Sequence, residues 1–294
     1  MASIIRILHQ TKYTYDRPVV LHPHRLMLRP RDGHDLWMDD AFLTITPKAR
    51  LRWFFDTFGN SVAEASFNTP TQTLVIESEL LLRRYVSEQL TEGTGTHICP
   101  YPFLYTEDDM LDLRPFLGLQ NPQDAAALDD WLDACLVSRA TNAVTVLRGL
   151  SDCIHLNLRY SAREKMGTQS AVETITSGVG TCRDFAFLMM EAARRLGFAA
   201  RFVTGYLNDQ PTGLGMPLGG GATHAWADVY VPEEGWIEFD PTNRITAGSA
   251  LIRVATTRTP EQASPISGSF DGYGATCLGL TVSVEVHEVL TPSP

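Results

Sequence analysis

Cys182, His224 and Asp240 could carry out amide chemistry together if the chain brings them within reach of one another. The thiol would attack, the imidazole would take and return its proton, and the carboxylate would orient the imidazole. Cys182 lies in GVGTCRDFAFLMMEAARRLGF, residues 178–198, where glycines and a threonine lead to the thiol and an apolar helical period begins at once. Phe185, Leu188, Met189, Ala192, Ala193 and Leu196 form one stripe, and Gly197 suits the end of a helix. Cys182 is therefore expected in the first turn. Unpaired N–H groups and the helix dipole favour a thiolate there, which is how reactive cysteines fall from pKa ~8.5 toward ~3.5 to 7.5. The same N–H groups can hold an oxyanion, each donor being worth about 3 kcal/mol. Taken alone, a cysteine at a helix start is more often a small buried hydrophobe, so the signal depends on its companions.

Those companions lie on two strand-like segments. THAWADVYV, 223–231, alternates so that His224, Trp226, Asp228 and Tyr230 share a face, and GWIEFDPTN, 235–243, puts Trp236, Glu238 and Asp240 on one face. With a five-residue loop over 230–234, antiparallel pairing sets Gly235 opposite Val229, Glu238 opposite Trp226 and Asp240 opposite His224. Parity protects the pair: an even offset keeps one face, and a one-residue slip parts the side chains. Pro241 holds Asp240 extended. FAARFVTGYL, 198–207, reads as a buried strand, and the five glycines of PTGLGMPLGGGATH before His224 suit either a flap over the site or a flexible surface loop. Trp226 and Trp236 are candidates for an acyl pocket or for plain packing. Asp184 reads as a first-turn acid that complements the dipole, and Asn243 either assists the triad or caps the turn after Asp240 and Pro241.

The positioning elements are legible around these segments. The first 85 residues alternate with a β period, FGN at 58–60 reads as a hairpin turn, and QTLVIESELLLRRY as a long strand. Glycines and prolines over 86–105 suggest a linker, dividing the chain into a β-rich N-terminal domain, 1–95, and a catalytic domain, 106–294. Beyond it Leu128, Trp131, Leu132, Cys135 and Leu136 follow a helical period, which makes Cys135 a core residue. A second helix is expected over 142–155, giving way to strand alternation at Leu156, Leu158 and Tyr160. A third starts at SAVE, 170–173, whose spacing is that of a capping box, and stops at Gly178.

Composition narrows the partners. A formal charge of −10 spread along 294 residues argues against a nucleic-acid surface, and 44% hydrophobic content suffices for a full core. No apolar run is long enough to span a membrane, and charged residues interrupt the N-terminus where a signal peptide would be apolar, so a cytoplasmic protein is expected. Five cysteines without a CxxC fit neither a disulfide framework nor a zinc ribbon, and reduced thiols are expected. The pairs Cys153/His155 and His22/His24 lack further ligands at suitable spacing. A zinc site built on Cys182, His224 and Asp240 lacks a fourth ligand, so no metal or other cofactor is assigned.

GxGxCxD followed by THAWADVYV and GWIEFDPTN resembles the transglutaminase-like superfamily of papain-type folds over roughly residues 150–245. HQTKYTYDRPV, HRLMLRPR and DTFGN resemble the β-rich domain preceding that core in a bacterial branch. The resemblance implies an α+β fold with an antiparallel sheet packed on the Cys helix. It also implies Cys182 as nucleophile, His224 as general base and acid, and Asp240 as orienting carboxylate, acting on a peptide or protein amide through a thioester. Hydrolysis, transamidation and a catalytically silent binding module are the outcomes the fold allows. Two departures stand out. Leu251 and TTRTPEQASPISG, 256–268, occupy the place of a His-led strand and a GRDYxD segment, and no tryptophan lies between Trp131 and Cys182. Animal transglutaminases resemble one another in using such a tryptophan as a second oxyanion donor. Tyr160 is the residue available for that part, and otherwise reads as a strand aromatic in the core; Trp226 is the other tentative oxyanion or substrate residue.

Overall fold

The β alternation of the first 85 residues produces six strands: β1 (Ala2–Leu21), β2 (His24–Arg29), β3 (Leu36–Thr46), β4 (Arg50–Phe55), β5 (Ser61–Ser66) and β6 (Thr71–Tyr85). Ile5 and Ile7 of β1 and Leu74, Ile76, Leu80 and Leu82 of β6 are buried at period two. The computed structural model describes residues 2–85, 99–136, 140–163, 167–208, 221–248 and 250–289. Most of the expected linker, 86–98, and most of the expected flap, 209–220, lie outside the described residues.

The helices come next: α1 (Glu107–Leu113), α2 (Ala125–Cys135) and α3 (Ala143–Asn157), then strand β7 (Arg159–Tyr160), α4 (Ala171–Ser177), strand β8 (Val179–Gly180) and α5 (Cys182–Arg195). α3 outruns its expected end by two residues, and only Arg159 and Tyr160 are left as strand. The capping box at Ser170 and Glu173 forms as its spacing implies. The chain then adds β9 (Ala199–Leu207), β10 (His224–Val231), β11 (Gly235–Asp240), β12 (Ile245–Thr246) and β13 (Leu251–Thr257). These pair as an antiparallel sheet in the order β12-β11-β10-β9-β13. The chain closes with β14 (Ile266–Ser267), β15 (Phe270–Asp271) and β16 (Cys277–Val289).

α5 is more deeply placed than a one-stripe helix, with every residue from Asp184 to Arg194 buried. β9 and β10 cover one side of it and α2, α3 and α4 lie against others. Its charged residues are satisfied internally: Arg194 donates to Glu191 Oε1 at 3.1 Å and to the Ala200 carbonyl at 2.8 and 3.0 Å. Ala225, Ala227, Val229, Ile237 and Phe239 join Phe185, Leu188 and Met189 in the core between sheet and helix.

Two expectations change. Dividing the chain at 95/106 puts β14, β15 and β16 with the catalytic unit, but β16 runs antiparallel along β1 from Ile4↔Val289 to Tyr15↔Cys277, and β14 and β15 extend N-terminal sheets. The physical reason is burial: Val284 and Val286 of β16 complete the cluster of Ile5, Ile7, Leu80 and Leu82, into which Tyr206, Ile252 and Val254 of the second sheet also pack. The cysteines are also not all reduced. Cys135 and Cys153 form a disulfide between the end of α2 and the last turns of α3, with Cα atoms 5.7 Å apart. Cys135, expected to be a simple core residue, and Cys153, expected to be a reduced thiol on the next helix, face each other at bridging distance.

Candidate active site

Cys182 is the first residue of α5, half-buried, and the segment leading to it is pinned from several directions. α4 ends at Gly178 with φ +65, a left-handed turn that suits glycine. β8 then pairs in parallel with β7, setting Tyr160 beside Gly180. A side chain at Gly180 would approach Phe185 Cε1 to 2.8 Å, so the entry to the helix needs glycine. Asp184, wholly buried, gathers the loops: Oδ2 accepts from the Thr181 N–H and hydroxyl at 2.8 and 2.9 Å, and Oδ1 accepts from Gln169 N at 2.7 Å and Arg163 Nη2 at 3.0 Å. Its role is to fix the approach to Cys182, and the Arg163 guanidinium offsets its charge.

His224 opens β10 and Asp240 closes β11, with His224 Nε2 and Asp240 Oδ2 2.8 Å apart and both side chains fully buried. The register differs from the expected one. Val231 pairs with Gly235 and Ala227 with Phe239, so the connecting turn is Pro232–Glu234 and the ladder has moved by two positions. A two-position move keeps every side chain on its face, so the dyad survives as a diagonal rather than a direct pair.

Asp240 is held by more than the imidazole. Its Oδ1 accepts from Thr242 N and its Oδ2 from Asn243 Nδ2, each at 2.9 Å. Arg244, at φ +56, closes the turn that folds Asn243 back over the carboxylate. Asn243 is thus a partner of the dyad as well as a turn residue. Burial alone would raise the Asp240 pKa, but His224 and these donors keep it below the usual carboxylate range. For His224, burial is the largest effect and pushes the pKa down. Asp240, by charge and hydrogen bonding, and the neighbouring Cys182 outweigh it and bring it up to about 10. Nδ1 is buried with no completed hydrogen bond, and it is the ring nitrogen left for the thiol once Nε2 is engaged.

The other predicted residues separate. Tyr160, half-buried, meets Phe185 edge-on at 6.5 Å and lies close enough to Cys182 and Asp240 that, after burial, their charges also raise its pKa. It therefore stays a hydroxyl donor beside the thiol. Trp226 is fully buried, its ring 6.2 Å from that of His224, so it backs the imidazole and offers no face to a substrate. Gly205 makes room for it: a Cβ there would come within 2.7 Å of Trp226 Cη2. Trp236, farther up the hairpin, stacks under the Arg201 guanidinium at 4.0 Å and against Phe116 and Tyr230. Asp228 and Glu238, on the same face as the dyad, belong to an ion-pair cluster with Arg201 and Arg253. The cluster reaches the N-terminal region through Asp35 and Arg84. The Thr242 and Asn243 contacts could be suspected from DPTN, whereas the support that Arg163 gives Asp184 carries no local signal.

Residues 5–83 match the family model of the bacterial transglutaminase-like N-terminal region, and residues 132–241 that of the transglutaminase-like superfamily. An uncharacterized protein of Mycobacterium tuberculosis is 27% identical over 277 residues, spanning 90% of this chain and 86% of that protein. A protein-glutamine gamma-glutamyltransferase of Pseudomonas aeruginosa is 28% identical over 127 residues, 42% of this chain and 19% of that protein. The solved structure of a candidate cysteine protease from Cytophaga hutchinsonii has the same fold, with TM-score 0.74 and 21% identity over 100% of this chain and 93% of that one.

Proposed function

The chain belongs to the transglutaminase-like superfamily, with its bacterial N-terminal region ahead of its core, and we propose that it is a cysteine-dependent hydrolase of peptide or isopeptide-like amides. The observation that carries this reading is the buried His224–Asp240 pair, which engages Nε2 and leaves Nδ1 for Cys182. Nδ1 takes the thiol proton, and the thiolate attacks the amide carbonyl. Collapse of the tetrahedral species breaks the C–N bond, and the imidazolium returns the proton to the leaving amine. Water, deprotonated by His224, then attacks the thioester and releases the acid and the thiol. First-turn N–H groups of α5 and the Tyr160 hydroxyl stabilise the oxyanion in both steps.

An amine in place of water gives transamidation, and the Pseudomonas aeruginosa relative, a protein-glutamine gamma-glutamyltransferase by name, favours keeping this as the second reading. The complete set of Cys182, His224 and Asp240 weighs against a catalytically silent binding module. Among the described residues no helix is long and apolar enough to cross a membrane. The acidic charge argues against nucleic acid as a partner. The test is iodoacetamide labelling near pH 6.5 with mass mapping: Cys182 should react well ahead of Cys99 and Cys277 in wild type and lose that lead in His224→Ala. Equal labelling of the three thiols sinks the proposal.

A further inference from the structure

The last turns of α3 grip the turn that holds Asp240. Asp152 Oδ1 accepts from Arg244 Nε at 2.7 Å, and His155 Nδ1 donates to the Thr242 carbonyl at 3.0 Å. These contacts flank the two donors on the carboxylate, Thr242 N and Asn243 Nδ2. Between Asp152 and His155 sits Cys153, bonded to Cys135 at the end of α2. Cys135 is half-buried and lines an open cavity of about 680 Å³, together with Leu132, Leu136, Tyr101, Leu196 and Asp152.

We infer that the Cys135–Cys153 bond is a thiol–disulfide switch that sets how firmly α3 positions the Asp240 carboxylate, with His155 as the positioning residue that transmits it. The inference rests on the catalytic reading of Cys182, His224 and Asp240. The cavity gives a dithiol reductant access to the Cys135 sulfur. Attack there by the reductant's thiolate displaces Cys153 as thiolate, and the second thiol then resolves the mixed disulfide. In sum, two electrons and two protons pass to the protein while the reductant becomes a disulfide. Two unbonded thiols need more room than a bonded pair, so α2 and α3 must part. The displacement acts where Asp152 and His155 hold Arg244 and Thr242. In a reducing cytoplasm the open, loosely held form is the resting one, and oxidation closes it.

The experiment follows the rate of Cys182 alkylation by iodoacetamide between pH 5 and 9, read by mass. It uses the full chain with the bond closed, after dithiothreitol reduction and removal of reductant, and as the Cys135→Ser/Cys153→Ser variant. The titratable and charged groups around the thiol are His224, Asp240 and Tyr160, with Arg183 and Asp184 beside it on α5 and Arg163 paired to Asp184, and none of them is substituted in these forms. The opened forms and His155→Ala should shift the rising limb up by about one pH unit and slow alkylation near pH 6 about tenfold. His155→Asn, which keeps a donor at the Nδ1 position, should restore the wild-type profile. Reduced wild type and His155→Ala keep the test valid if the double variant folds poorly. If Cys182 leads the other thiols but its profile is the same bonded and open, the switch is overturned and the catalytic reading stands. If Cys182 shows no lead in any form, both fall.

Discussion

Asp240 reaches past the level of Trp226 to bind His224, because the β10–β11 ladder pairs Phe239 with Ala227 and so places the imidazole on a diagonal, 2.8 Å from the carboxylate. The carboxylate is buried and already accepts from Thr242 and Asn243, so its charge is held in one position. Asp240→Asn keeps the shape but removes the charge that brings the His224 pKa up to about 10. The imidazolium is then less favoured. Alkylation of Cys182 near pH 6 should fall, and amide turnover should drop on the order of 10³ to 10⁴-fold, as when a triad imidazole loses its orienting acid. Steady-state kinetics beside the alkylation profile check both.

Tyr160→Phe separates oxyanion stabilisation from thiolate formation. Removing one donor should lower turnover about 10² to 10³-fold. The alkylation profile of Cys182 should barely move, because no ionised group is lost. A parallel fall in alkylation would instead assign Tyr160 to holding the thiol.

Gly205 lies opposite His224 on β9, and a Cβ there would overlap the Ile252 carbonyl oxygen on β13 as well as crowd Trp226. Both obstacles are fixed, one being backbone and the other a fully buried ring. Gly205→Ala should destabilise the fold by about 1–3 kcal/mol, the usual cost of overpacking, and displace the ring behind His224. Thermal unfolding and turnover of the folded fraction should therefore fall together.

Glu238 gives stability a pH dependence of its own. Burial first, and the facing Asp228 next, lift its pKa from 4.5 to about 7, against the pull of Arg253 and Arg84. A carboxyl raised on folding binds its proton more tightly in the native state. Its contribution is therefore present below pH 4.5 and lost as pH rises through about 7. Tm should decline across that window in wild type, and Glu238→Gln should flatten the decline.

The family, the α+β core and the β-rich N-terminal region were legible because they rest on periodicity and on motifs with fixed internal spacing. The thiol at the start of α5 follows from a local pattern, GxGxC ahead of an apolar stripe. Parity preserved the His224–Asp240 meeting through a turn two residues shorter than expected. The illegible parts are those made by distant contacts. Cys135 read as a core position and Cys153 as a reduced thiol on a separate helix, and only the packing of α2 on α3 joins them. The pairing of β16 with β1 depends on an apolar face shared with Tyr206 and Ile252, which no segment reveals alone. For Trp226 the sequence left pocket and packing open, because its position on the His224 face is visible there, whereas the residues that bury it come from β9 and β13.

The antiparallel match of Ile4 with Val289 also dictates an order of assembly. β1 precedes β16 by about 250 residues, so the edge that β16 covers stays open until all the elements between them have been made. Such long-range pairing is slow to form, and an uncovered edge can recruit a strand from another molecule. Chains that stop short of β16 would consequently be sticky and aggregation-prone rather than smaller versions of the same fold.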